Sequence, residues 1–264
     1  MFQANEREYR NTRSKRAGDG FTVMHGEDRV ASLSSRGVCR IYRKRQMPFD
    51  LYLEETKGGN IDLQIQNLDN FYHWCASRVL TLDRKYAKEI LNSIGATQSA
   101  TDRDRAEISL SYHCLSLTDI YWVRKNYEKT YFHDINLYEN HLDTAFVDVA
   151  LRGKQMTIQN RHLIADDLGT MGLFPKAWVR KDETFVLYKD GDGRAVESEL
   201  LASKICRCFR ATQVLYEKEI YDGQIVSASR MITSLERSIV SWENLAVYLL
   251  NHDIDPMKYL LKLD

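Results

Sequence analysis

The chain has 264 residues, 44% of them hydrophobic and 28% charged, enough to bury cores in about two domains. Lys plus Arg and Asp plus Glu stand at 37 each, so the net charge of zero removes any whole-chain attraction to nucleic acid or an anionic membrane. With 3 prolines and 13 glycines, neither a Pro-rich linker nor a low-complexity segment is present.

The first residues carry Arg7, Arg10, Arg13, Lys15 and Arg16, closed by Gly18 and Gly20. Such a stretch reads as a solvated terminus before it reads as a nucleic-acid arm. It offers no apolar segment for a secretory signal, and the longest apolar runs fall far short of the ~20 residues that cross a bilayer. A cytoplasmic protein without a membrane partner is expected. Cys39, Cys75, Cys114, Cys206 and Cys208 are scattered without CxxC spacing, which predicts buried thiols and neither disulfides nor a zinc knuckle.

From Phe21 to Ile65 short apolar stretches alternate with glycine and charge: Phe21 to Met24, Val38 to Tyr42, Leu51 to Leu53 and Ile61 to Ile65. They read as short strands with turns. Leu68 to Leu80 and Tyr86 to Ile94 have helical spacing, with Gly95 as a C-cap, and Thr101 to Leu115 reads as a third helix. Leu117 to Val123 packs large side chains around Asp119, which is either a ligand or, more commonly for such an Asp, a turn cap. His133 and His141 lie near Asp134, Glu139 and Asp143, but no spacing defines a metal geometry, so surface histidines are expected.

Beyond residue 160 the pattern sharpens. Asp167 to Gly172 is a glycine loop, Leu173 to Arg180 leads into a strand, and Thr184 to Lys189 forms a second. Glycines allow sharp bends and expose N–H groups, as a phosphate-binding loop requires. Phe185, Leu187 and Lys189 share one strand face; a lysine there either snorkels to water or presents its ammonium to an anion. Arg194 to Phe209 then has apolar positions Leu200, Leu201, Ile205, Cys208 and Phe209 at helical spacing, with Glu197 and Glu199 expected in the first turn. Those carboxylates either favour the helix dipole, or one pairs with Lys189 and holds it against nucleotide phosphates.

The segments LTDIYWVR, INLYENHLDTAFVDVALRGKQ, LGTMGLFPKAWVR, FVLYKDG, ESELLASKICRCF and SRMITSLERSIVSWENLAVYLLNHDIDP together resemble the HipA-like serine/threonine protein kinases, in particular the CtkA-like branch. The resemblance implies ATP as cofactor. Gly169, Thr170, Gly172 and Lys176 would belong to the phosphate loop, Lys189 would anchor ATP, and Glu199 would be its helix partner. Met231 and Ile232 would lie near the adenine hinge. Relatives often carry a regulatory serine in the phosphate loop; Gly169 stands about there, with Thr170 as a possible substitute.

The family's catalytic segment, Asn-x-Asp-Arg-His-x-x-Asn followed by a metal-binding Asp, does not occur in these residues. Asn251-His252-Asp253 lacks the Arg-His and second Asn, so no catalysis is assigned to it. The expected architecture is α+β: a β-rich and helical region at 1–150, a kinase-like N-lobe at 151–235, and the start of an incomplete helical C-lobe at 236–264. The expected function is the nucleotide-gripping portion of such a kinase. It would be inactive alone, with weak or conditional ATP binding and magnesium only when the missing half is supplied. The alternative is a non-catalytic interaction module with a kinase-like fold, taking a protein partner or self-associating. Nucleic-acid binding through Arg7 to Arg16 and Arg40 to Arg45 is the weakest class.

Overall fold

A computed structural model describes residues 19–80, 85–93, 101–140, 173–181, 184–191, 193–210 and 212–263. They form a mixed α+β structure with two antiparallel four-stranded sheets. The first sheet contains β1 (Gly20–His25), β2 (Asp28–Ser34), β3 (Cys39–Ile41) and β4 (Tyr121–Lys125), in the order β3-β2-β1-β4. Period-two alternation lets it serve two cores. Val23 and its cross-strand neighbour Val123 face one cluster with Leu33, Phe71 and Trp74; Met24 and its neighbour Trp122 face another.

The Val23 side is covered by α1 (Ile61–Ser77) and α3 (Asp102–Ser111), while the short α2 (Ala87–Ser93) feeds Ala87 and Ile90 into the Trp122 core. Fully buried aliphatic or aromatic side chains such as Phe71 and Leu33 each contribute about 1.5–3 kcal/mol of transfer free energy. The alternating run Ile61 to Ile65, expected as a strand, is instead the start of α1. Asn60 caps it by accepting from the Leu63 N–H, and Ile61 and Ile65 lie exposed on the helix face opposite Asn67, Phe71 and Trp74. Gly37 has φ +83°, and a Cβ there would sit 1.9 Å from the Gln64 carbonyl oxygen, so only glycine lets the β2–β3 connection pass this helix.

Leu51 and Leu53 are buried but join no ladder. The buried Asn67 side chain substitutes for a neighbouring strand: its Nδ2 donates to the Glu54 carbonyl and its Oδ1 accepts from the Glu54 N–H, both at 2.9 Å. Asn70 Nδ2 donates to the Tyr52 carbonyl at 2.8 Å. Amide side chains thereby satisfy an irregular buried backbone.

At the end of α1, Arg78 is buried and grips Asp119 with two parallel hydrogen bonds of 2.9 and 2.8 Å. Its Nε donates to the Cys114 carbonyl and Nη2 also reaches the Tyr121 carbonyl. Burial disfavours the charged guanidinium, but Asp119 outweighs this and holds its pKa above the ordinary arginine value. Asp119 also accepts from the Tyr121 N–H, so it combines the expected turn-capping duty with an unforeseen structural ion pair.

After the short α4 (Phe132–Ile135), the second sheet comprises β5 (Lys176–Lys181), β6 (Thr184–Lys189), β7 (Glu217–Tyr221) and β8 (Gln224–Arg230), in the order β5-β6-β8-β7. α5 (Gly193–Cys206) lies between β6 and β7 in sequence. Asp222 and Gly223, both with positive φ, close the β7–β8 hairpin as the right-handed twist of its strands favours. Ala177, Val186, Tyr188, Val226 and Ala228 belong to the same buried cluster as Trp122, Leu80 and Leu117, so one apolar core spans both sheets.

Thr233 Oγ1 donates to the Leu117 carbonyl, and the Ile239 N–H donates to Thr118 at 2.9 Å, bringing the chain back to the first sheet. α6 (Trp242–Leu250), capped by Ser241, sets Tyr248 against Phe49 at 4.9 Å between ring centroids. α7 (Pro256–Leu260) follows, capped by Asp255. No helix among the described residues is long and apolar enough to cross a membrane.

Candidate functional site

Lys189 ends β6, and Gly191 turns the chain directly into α5. A Cβ at Gly191 would lie 2.8 Å from the Ala195 Cβ, so the strand-to-helix turn is tight at this point. The turn aims α5 back across the sheet with Val196, Glu199 and Ser203 on its inward side. Glu199 Oε1 then accepts from Lys189 Nζ at 2.8 Å, and Glu199 Oε2 accepts from the hydroxyl of Ser227. Ser227 is fully buried and stands directly across the β6–β8 ladder from Lys189. Both carboxylate oxygens are therefore occupied.

Tyr216 completes the arrangement. Its hydroxyl accepts a second hydrogen bond from Lys189 Nζ, at 2.5 Å, and the ammonium lies 4.3 Å from its ring centroid. The Tyr216 N–H donates to Ser203 Oγ at 2.8 Å, one helical turn beyond Glu199, so α5 positions both partners of the lysine. Partial burial works against the Lys189 ammonium, but the bonds to Glu199 and Tyr216 prevail and hold its pKa above the ordinary lysine value. The group is cationic throughout the physiological range, with its side chain 23% exposed.

The β5–β6 register adds charge to this face. Lys176 is directly opposite Lys189, Trp178 opposite Leu187, and Arg180 opposite Phe185, placing Lys176, Arg180 and Lys189 on one side of the sheet. Lys176 is buried as the first residue of β5. The Arg180 guanidinium lies over the Phe185 ring at 5.4 Å.

Of the other residues singled out in the sequence, Gly169, Thr170 and Gly172 lie outside the described residues. Met231 is half-buried against the shared core, and its N–H donates to the Phe185 carbonyl at 2.9 Å; Ile232 is exposed. Phe185 precedes Lys189 by four strand residues, a rise of about 13 Å along β6. Neither Glu197 nor Glu199 sits in the first turn of α5, which begins at Gly193, so the dipole explanation does not apply to them. Of the apolar positions at helical spacing, Leu200 is half-buried, whereas Leu201, Ile205 and Phe209 are turned outward and exposed. The helix is held instead by Val196 and by hydrogen bonds from its polar inward side.

Tyr216 and Ser227 were not anticipated from the sequence. The alternation of Val226, Ser227, Ala228 and Ser229 in β8 hints at a polar face for Ser227, whereas nothing local marks Tyr216. His133 is exposed and contacts Glu27 and Asp134; His141 and Asp143 fall outside the described residues, among which no metal-holding group of three or more His, Cys, Asp or Glu occurs. Asn251, His252 and Asp253 are exposed just after α6, with the His252 ring nitrogen 2.8 Å from the Tyr248 carbonyl. A separate cleft of about 310 Å³, lined by Met47, Phe49, Tyr52, Tyr248 and His252 among others, contains none of the site residues.

No protein-family model, curated protein or solved structure matches the chain.

Proposed function

We propose that the second sheet and α5 form the nucleotide-gripping part of a kinase-like phosphotransferase of the HipA-like kind. The observation that carries this reading is the 2.8 Å pair between a strand-end lysine and a glutamate of the following helix. In protein kinases such a pair sets the ammonium against nucleotide phosphates and depends on the helix position. Two further features support the reading: α5 is inserted between β6 and β7 while β8 pairs with β6, and three cationic side chains share the lysine's face. Lys176 and Lys189 would meet phosphate, and the edge at Met231 and Ile232 would meet the adenine. Magnesium would require ligands that the family's catalytic segment supplies.

Calorimetry tests this directly. ATP should bind the 264-residue polypeptide weakly and bind Lys189→Ala undetectably, and neither should transfer labelled phosphate to itself or to a generic protein substrate. Equal ATP affinity in the two proteins would leave Lys189 as a structural cation.

A second reading, an interaction module with this fold, is favoured by the outward apolar side chains. Leu201, Ile205 and Phe209 lie exposed on or just after α5, and Val247, Leu250, Met257, Leu260 and Leu261 lie exposed on and around α6 and α7. Large apolar side chains left exposed in such number commonly mark a protein interface.

A further inference from the structure

We propose that Tyr216 is a phosphate-binding residue, its phenol acting with Lys189 as a two-donor site for a polyphosphate anion. This rests on the nucleotide reading above and names a residue that reading does not contain. The ammonium carries three N–H donors, of which one goes to Glu199 and one to Tyr216, leaving the third for a ligand. The phenol oxygen accepts from Lys189, and its own hydrogen has no acceptor among the described residues. Accepting from a cation polarises a hydroxyl and makes it a stronger donor. The oxygen and nitrogen that carry these two donors, one polarised and one charged, lie 2.5 Å apart, within reach of a single polyphosphate anion.

Several constraints keep the phenol in place. Its backbone N–H is tied to Ser203 on α5, and its ring covers one side of the ammonium at 4.3 Å. Glu199 does not compete as acceptor, because its second oxygen is taken by Ser227. Lys176, across the ladder from Lys189, adds a second cation to the face. An anion rich in oxygen acceptors is the ligand this chemistry recognises: a phosphate oxygen replaces a solvent acceptor at the lysine's third N–H while a second oxygen accepts from the phenol.

The test is acylation of Lys189 by an amine-reactive ester, read by peptide mass spectrometry over a titration of inorganic pyrophosphate or ATP. Tyr216→Phe keeps the ring over the ammonium and removes only the hydroxyl; its circular dichroism and melting should match the parent's. In the parent both ligands should slow acylation, and in Tyr216→Phe half-protection should need about tenfold more of either. Protection at unchanged concentration, or tighter protection, in Tyr216→Phe overturns the role of the phenol while leaving Lys189 as the nucleotide anchor. Protection by pyrophosphate without protection by ATP supports the anion site and refutes the nucleotide reading. Absence of protection by either ligand in the parent overturns both.

Discussion

Arg78–Asp119 and Lys189–Glu199 each join a helix to a strand or its approach at 2.8 Å, yet their surroundings differ in kind. The first pair has side chains 8% and 13% exposed, and the guanidinium is further bonded to the Cys114 and Tyr121 carbonyls. It is sealed between α1 and the approach to β4, where it fixes how the helix meets the first sheet. The second pair is 23% and 30% exposed and retains an ammonium N–H for an outside acceptor. Burial among internal acceptors makes the first ion pair structural, whereas an open donor beside partial burial is what the proposed anion site at the second requires.

The largest effect that would break this contrast is at the sealed pair. Asp119→Ala leaves a buried guanidinium unpaired and should cost about 3–5 kcal/mol, lowering the melting temperature by roughly 10 °C. A loss below about 1 kcal/mol in denaturant titration would show that water reaches Arg78 and that the pair is not sealed.

At the open pair the same kind of truncation should divide differently. Lys189→Ala should cost about 1 kcal/mol of stability, since an ion pair still partly reached by solvent contributes less than a sealed one, while the proposed ligand binding is lost. A destabilisation as large as that of Asp119→Ala would make Lys189 a structural residue, and the two pairs equivalent.

The smallest expected effect sharpens the boundary of the sealed region. Asp50 accepts from Trp74 Nε1 at 3.1 Å and from Asn244 Nδ2 at 3.3 Å. Burial raises its carboxyl pKa, with Arg78 opposing and Asp119 reinforcing the rise. Because the folded-state pKa is raised, ionised Asp50 weakens folding above that pKa, and the penalty disappears as pH falls through it toward the unfolded value of about 4. The stability of Asp50→Asn relative to the parent should therefore be greatest at neutral pH and decline on acidification. Melting curves for both proteins across that range would show it; an advantage that grows in acid would reverse the assigned direction.

Much of the local structure was legible where pattern and turn chemistry agreed. The glycine-bounded hydrophobic run of β1, the helix expected from Thr101 onward, and the β5–β6 strands with α5 all follow from periodicity and end signals. Ile61 to Ile65 misled because apolar residues at every second position also satisfy an i, i+4 spacing, and the Asn60 cap decides between them. β2 escaped notice because Val30, Ala31 and Leu33 are interrupted by Ser32, which becomes informative only once its neighbours pair. α5 shows the opposite failure: the apolar stripe was real, but the sheet selected the face carrying Glu199 and Ser203.

The candidate site divides along the same line. Lys189 and Glu199 are ten residues apart on adjoining elements; the residue pattern by itself left Glu197 and Glu199 open as partners of the lysine, the resemblance to the kinases singled out Glu199, and the rotation of α5 brings that one to Lys189. Tyr216 and Ser227 arrive through the β6–β8 ladder and the Ser203 hydrogen bond, across 27 and 28 residues from their respective partners. Arg78 meets Asp119 across 41 residues. Composition and periodicity record which faces can be buried, but cross-strand register and helix rotation are fixed only when separate segments compete for the same core. Tertiary structure therefore decided which lysine acquired a phenol, which arginine was sealed, and which side of α5 was left to solvent.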